Sequence, residues 1–253
     1  MAPIERLVVR TSLVDTTPML RVEQFPWARD LEAGWKDIRD ELDAVLTTRG
    51  DLPAFHEITA DVGDISQDDQ WKTFFFYGYG FRSEANCARC PKTSALLGRI
   101  PGLTTAFFSI LEPGKRIPPH RGPWRGVIRY HLGLVVPEPD KCGILVGGEE
   151  AHWAEGESLV FDDAYEHSAW NDSSQVRVVL FLDVLRPCKA PGSWANKFVI
   201  KAVGFSPFLR DAKRKHERWE REYAAKHPVT RVPTGEVTGV AADTDRVGTA
   251  QSG

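Results

Sequence analysis

Four cysteines in 253 residues, Cys87, Cys90, Cys142 and Cys188, are too few to staple a chain of this length, which excludes a disulfide scaffold. No apolar run approaches the roughly 20 residues that span a bilayer. The opening MAPIERLVVRTSLVD has neither the apolar h-region nor the small-residue cleavage site of a secretory signal. Cytoplasm is the expected compartment, without a membrane partner. Charge of one sign is also scarce: 32 basic residues against 35 acidic leave −3, so no cationic field recruits nucleic acid. There is no internal repeat. What is present is a chain 42% hydrophobic, globular in composition, and long enough for one sizeable core or at most two small ones. Cys87-Ala-Arg-Cys90 has the spacing of a redox or half-zinc motif, but no second close Cys/His pair follows to complete a zinc site. It reads as two reduced thiols beside a turn ending at Pro91.

Hydrophobic periodicity divides the rest. Leu31, Trp35, Ile38, Leu42 and Leu46 recur at helical steps and predict one helix closed by Gly50. DLPAFHEITADVGDISQDD is a looping stretch, and WKTFFFYGYG is an aromatic strand with a bend at its glycines. From Thr104 onward TTAFFSILEPG, VIRYHLGLVV, CGILVGG, HWAEGESLVF and VRVVLFLDVL predict short strands separated by turns, as in a sandwich or barrel such as a jelly roll. Ser206-Pro207 starts a helix whose stripe is Phe205, Phe208, Ala212, His216, Trp219 and Tyr223. From Pro228 the composition is small and polar, which predicts a disordered tail.

The stretch PPHRGPWRGVIRYHLGLVVP, starting at Pro118, puts two histidines and three arginines into an otherwise apolar strand region. Burying that much charge needs a partner. His56, His152, His216 and His227 read as structural or surface residues; His120, His131 and His167 remain. His120 in PPHRGP and His167 in FDDAYEHSAWND lie at strand ends, where a barrel mouth gathers residues distant in sequence. Two histidines and a carboxylate make the facial triad of non-haem iron oxygenases, yet the usual carboxylate position, two residues after the first histidine, is Gly122. Arg177, inside the apolar strand of QVRVVLFLDV, calls for a buried anion: either a bound dicarboxylate or one of Asp162, Asp163 and Asp183. Asp162 or Asp163 is a candidate to orient His167.

The motifs WKTFFFYGYG, NCARCPKTSALL, SILEPGKRIPPHRGP, IRYHLGLVVP and GESLVFDDAYEHSAWNDSSQVRVVLFLDVLRP together resemble the aspartyl/asparaginyl β-hydroxylase family of iron(II)- and 2-oxoglutarate-dependent dioxygenases. The resemblance runs from the FPW before the first helix to Arg186-Pro187. It implies a mainly β fold with flanking helices, a double-stranded β-helix of the jelly-roll, cupin-like kind. It also implies that His120 and His167 ligate Fe(II), with Gly122 matching the family's own glycine at the carboxylate position. By the same resemblance Arg177, partnered by Ser109, binds the distal carboxylate of 2-oxoglutarate. Arg129 and His131 line the cosubstrate pocket, and Trp71 is an aromatic wall. Val127 stands where founding members carry a further arginine. The expected division is an N-terminal extension over 1–24, the dioxygenase domain over 25–205, a helix over 206–227 and a tail over 228–253. The implied reaction consumes O2 and 2-oxoglutarate, releases succinate and CO2, and hydroxylates a peptidyl Asp/Asn or a small amino-acid-like molecule. An acyl chain is the less expected substrate, because nothing in the sequence marks a membrane-facing surface. The alternatives are a non-catalytic jelly roll that binds a small dicarboxylate and a zinc module around Cys87 and Cys90. Oligomeric state is not legible.

Overall fold

The structure is a computed structural model, and it describes residues 3–58, 65–78 and 80–228. The tail expected after Pro228 lies, beyond that residue, outside the described residues, as does the side chain of Phe208. Helix α1 (Pro3–Arg10) and the short strand β1 (Met19–Leu20) lead into α2 (Ala28–Ala33) and α3 (Trp35–Leu46). The single helix predicted here is two. They meet at Gly34, where a Cβ would lie 2.8 Å from a Leu96 methyl, so close packing demands glycine, a residue poorly suited to continuing a helix. The second helix stops at Leu46, and residues 49–51 form a 3-10 turn before α4 (Phe55–Ile58).

The sheet strands follow: β2 (Trp71–Gly78), β3 (Phe81–Arg82), then α5 (Glu84–Arg89) and α6 (Pro91–Leu97), then β4 (Leu103–Leu111), β5 (Arg116–His120) and β6 (Val127–Val135). After them come β7 (Cys142–Val146), β8 (Glu149–His152), β9 (Ser158–Phe161), β10 (His167–Asn171) and β11 (Arg177–Leu185). Two antiparallel sheets result, a seven-stranded one ordered β1-β9-β6-β11-β4-β2-β3 and a four-stranded one ordered β5-β10-β7-β8. This is the mainly β, jelly-roll architecture with flanking helices. The strand predicted over HWAEGESLVF is divided between β8 and β9, because Gly156 turns the chain at φ +80. Strands β5 and β10 were not predicted. Two prolines disguise β5, and they are tolerated because it lies at a sheet edge.

Side chains alternate across the large sheet, and this period of two places the site. Val178, Leu180, Leu182 and Val184 of β11, with Ile128, Tyr130, Leu132 and Leu134 of β6, face the helices and pack on Leu31, Ile38 and Leu42. The intervening residues face the small sheet. There Val179, Leu111 and Phe161 form a second core with Ile117, Ile144, Val146 and Ala169. Cys87 and Cys90 are buried free thiols in the helix-side core, and burial pushes the Cys90 thiol up, so it stays protonated.

The chain then forms α7 (Gly192–Gly204) and α8 (Pro207–Lys226). Ser206 caps α8, its Oγ accepting the Leu209 N–H at 3.2 Å. Trp219 and Tyr223 stack with centroids 4.8 Å apart, and the Trp219 Nε1–H donates to the Asp51 carbonyl at 3.0 Å. Phe205, predicted on this stripe, instead ends α7 and is 68% exposed.

Candidate active site

The first strand residue of β10 and the last of β5 are His167 and His120, and they pair directly across the ladder with ring centroids 4.1 Å apart. The Nδ1 of His120 lies 2.9 Å from the Pro118 carbonyl, and that of His167 lies 3.0 Å from the Tyr165 carbonyl. A carbonyl only accepts, so each Nδ1 carries the proton and each Nε2 keeps its lone pair. Burial lowers the pKa of both rings, that of His167 to about 3 with help from Arg129 and His120, so both imidazoles are neutral. Neutral rings with free Nε2 atoms, each locked by a backbone acceptor, are what a divalent iron site needs from histidine. The carboxylates of Asp162 and Asp163 do not bond to His167; backbone groups of Tyr165 and Asp163 hold the ring.

The two acids serve arginines. Asp162 is fully buried between Arg125 and Arg186, at 2.9 and 2.6 Å. Asp163 meets Arg129 at 2.9 Å, and Arg129 also pairs across the strands with Asp183 at 2.9 Å. Burial, opposed by Arg129, raises Asp163 to about 7, and its Oδ1 is buried without a hydrogen-bond partner. The glycine at the carboxylate position has a physical cause here. A Cβ on Gly122 would meet Asp163 Oδ2 at 2.1 Å.

One cavity is lined by His120, His167, Arg129, His131 and Arg177, together with Trp71 and Ser109. All seven residues singled out from the sequence are therefore brought together. Arg129 and His131 share the inward phase of β6, and Arg177 that of β11. Arg177 is 2% exposed; among the described residues no carboxylate lies within ion-pair distance, and its Nε has no hydrogen-bond partner. Its guanidinium rests 4.3 Å from the Trp153 ring, and burial lowers its pKa to about 10. Asp162, Asp163 and Asp183, the possible protein partners, are taken by other arginines. Trp71 Nε1–H donates to Ser109 Oγ at 3.0 Å, which leaves the serine hydrogen to donate elsewhere. His131 is buried, with both ring nitrogens unpartnered among the described residues, and burial with Arg177 and Arg129 nearby holds it neutral. Trp153 and Phe181 were not singled out, although Phe181 lies in phase with Arg177 on β11 and counting in twos would have found it.

The cavity is narrow, about 30 Å³, and shares Arg129 and Phe181 as wall residues with a mainly apolar channel of about 180 Å³. Phe55, Phe75 and Phe107 wall that channel, with Leu209 and Ala212 of α8 opposite. A third space, of about 520 Å³, shares Phe81 and Leu209 with the channel and is walled by Ile200, Gly204 and Phe205.

Residues 32–187, more than half of the chain, match the family model described as aspartyl/asparaginyl beta-hydroxylase. The chain belongs to the aspartyl/asparaginyl β-hydroxylase family. Among curated relatives, an ornithine lipid ester-linked acyl 2-hydroxylase of Rhizobium tropici is 46% identical over 88% of this chain and 79% of its own. The aspartyl/asparaginyl beta-hydroxylase of Homo sapiens is 35% identical over 64% of this chain, which spans only 21% of that longer protein. Among solved structures, a Cupin_2 domain of a transcriptional regulator from Enterobacter cloacae covers 46% of this chain and 96% of its own, at 15% identity and a TM-score of 0.33. The protein is thus a member of a hydroxylase family, and its Arg129 and Arg177 line the same cavity as His120 and His167.

Proposed function

We propose that this protein is an iron(II)- and 2-oxoglutarate-dependent hydroxylase whose substrate is the acyl chain of a lipid. The observation that carries the reading is a cavity lined by two neutral histidines and a buried arginine that has no carboxylate partner among the described residues, sharing Arg129 and Phe181 as wall residues with a mainly apolar channel beside it. The residues fit the groups. His120 and His167 would hold Fe(II) through Nε2, and Arg177 with the Ser109 hydroxyl would take the distal carboxylate of 2-oxoglutarate. When bound, these groups supply the oxidation: one atom of O2 enters a substrate C–H bond and the other enters succinate as CO2 leaves.

The chain supplies position and environment. The Pro118 and Tyr165 carbonyls fix the ring planes of the two histidines. The Trp71 indole holds Ser109 with its hydrogen directed away from Trp71. Because the cosubstrate exceeds the free space among these residues, its entry displaces side chains, and Arg177 has no ion pair among the described residues to break. His131, neutral and between Trp153, Phe161 and Phe181, offers hydrogen bonding without a competing charge. The channel, walled mainly by phenylalanines beside the Arg129–Asp183 ion pair, suits a hydrocarbon better than a peptidyl carboxylate. Val127, where a substrate-reading arginine stands in founding members, is buried and uncharged. The acyl 2-hydroxylase relative supports the same substrate class.

The test is succinate release by anaerobically iron-loaded protein given 2-oxoglutarate and O2, with a detergent-dispersed acyl lipid or an Asp/Asn peptide. Succinate stimulated by the lipid, with one oxygen added to its acyl chain and loss of both signals in His120→Ala and His167→Ala, is the expected result. Stimulation by the peptide alone would return the substrate to a peptidyl residue. No turnover and no 2-oxoglutarate binding would overturn the enzyme reading in favour of a dicarboxylate-independent role.

A further inference from the structure

Helix α7 carries an outward face that the hydroxylase site does not use. Trp194 is 70% exposed, Phe198 71% and Phe205 68%, so three large aromatics stand in solvent within twelve positions of one another. Trp194, Phe198, Lys201 and Phe205 follow one another at steps of four, three and four, which puts them on one side of the helix, with Lys197 at its margin. The opposite side is fixed. The buried Asn196 donates through Nδ2 to the Gly126 carbonyl at 2.7 Å and accepts the Trp124 Nε1–H at 2.8 Å. Gly192 packs so tightly on α1 that a Cβ would lie 1.8 Å from Thr11 Oγ1. The aromatics therefore face outward because the helix is anchored by its other side.

Charge says what covers them. Between Asp183 and Asp211 the chain has no acidic residue but carries Arg186, Lys189, Lys197, Lys201 and Arg210. Arg186 is buried on Asp162, and the other four basic residues are exposed. In a molecule of net charge −3 this is a local surplus of cations mixed with aromatics. Tryptophan and phenylalanine among lysines is the chemistry of a helix lying in the headgroup region of an anionic bilayer. No helix among the described residues is long and apolar enough to cross a membrane, so attachment through α7 is peripheral.

The location completes the argument. Lys201 and Phe205 belong both to this face and to the wall of the 520 Å³ space, which shares Phe81 and Leu209 with the apolar channel, and the channel in turn shares Arg129 and Phe181 with the histidine cavity. We propose that the outer face of α7 docks on an anionic lipid bilayer, so that an acyl chain passes from the bilayer along this series of spaces to the hydroxylation site. The docking part of the proposal stands on α7 alone; the delivery part rests on the acyl-chain reading above.

The experiment is co-sedimentation of the full chain with vesicles of phosphatidylglycerol mixed with phosphatidylcholine, and with vesicles of phosphatidylcholine alone. The wild-type chain is expected to bind the anionic vesicles and to be released by high salt. Trp194→Ala/Phe198→Ala is expected to weaken the partition by about tenfold or more, and Lys197→Glu/Lys201→Glu to weaken it on anionic vesicles. Circular dichroism and thermal unfolding check that each variant folds. Wild-type protein that ignores both vesicles, or variants that bind as well as wild type, overturn docking. So does self-association that the aromatic double variant abolishes without any vesicle binding, which would assign the face to a second copy of the chain. Acyl hydroxylation in detergent without vesicle binding overturns docking and leaves the substrate reading; vesicle binding without acyl hydroxylation overturns the substrate reading and leaves docking.

Discussion

Arg177 shows how a single residue carries chemical meaning once its neighbours are known. A buried guanidinium is costly unless paired, and here the nearby aspartates are engaged by Arg125, Arg129 and Arg186. The Trp153 face provides partial compensation. If the missing partner is the 2-oxoglutarate carboxylate, Arg177→Ala weakens cosubstrate binding by about 2–5 kcal/mol. Titration calorimetry on iron-loaded protein measures this, and an unchanged affinity would mean that Arg177 serves the core. Gly122 makes the complementary point, since the space a ligand carboxylate would need at this position is filled by the Asp163 carboxylate.

Among the elements outside the candidate site, α8 carries a pH signature. Its His216 is 1% exposed, enclosed by Phe75, Phe81 and Trp219 at centroid distances of 5.9, 5.5 and 5.6 Å, and both ring nitrogens lack hydrogen-bond partners. Glu220, 3.9 Å away, accepts a hydrogen bond from Ser83 instead. Burial pushes the imidazole down to about 4 from its ordinary 6.5. Between those values the unfolded chain binds a proton that the folded chain refuses. This contribution to stability is therefore full above about pH 6.5 and declines as pH falls toward 4, by about 3 kcal/mol in all. Denaturant unfolding at pH 7 and pH 5 should show the loss, and His216→Phe should flatten it. An unchanged slope in that variant would place the acid sensitivity elsewhere.

The whole molecule is a jelly roll whose site joins two sheets. His120 and His167 come from neighbouring strands of the small sheet, while Arg129, His131 and Arg177 come from the large one. A ligand set that exists only in the folded state stabilises that state by mass action. Iron(II) with 2-oxoglutarate should raise the melting temperature under anaerobic conditions by several degrees, about what 2–3 kcal/mol gives a chain of this size, and His167→Ala should abolish the rise. A melting temperature indifferent to both would remove the proposed iron site.

The sequence by itself determined the strand-rich architecture, the family and the residues worth watching. These are local properties: alternation along a strand, a Ser-Pro helix start and ordered motifs around His120, His167 and Arg177 survive as text. Its failures were local conflicts that tertiary contact resolves. Gly34 interrupts a helix because Leu96 presses against it, and the prolines of β5 are accepted because the strand lies at an edge. Which aspartate meets which arginine depends on strand register, so only the fold decided that Asp162 and Asp163 pair with other arginines and that Arg177 has no carboxylate partner among the described residues. Only the fold, too, decided that Trp194, Phe198 and Phe205 face outward. Apolar residues in sequence carry no label for inside or outside, and here the anchoring of Asn196 on the far side of α7 set their direction.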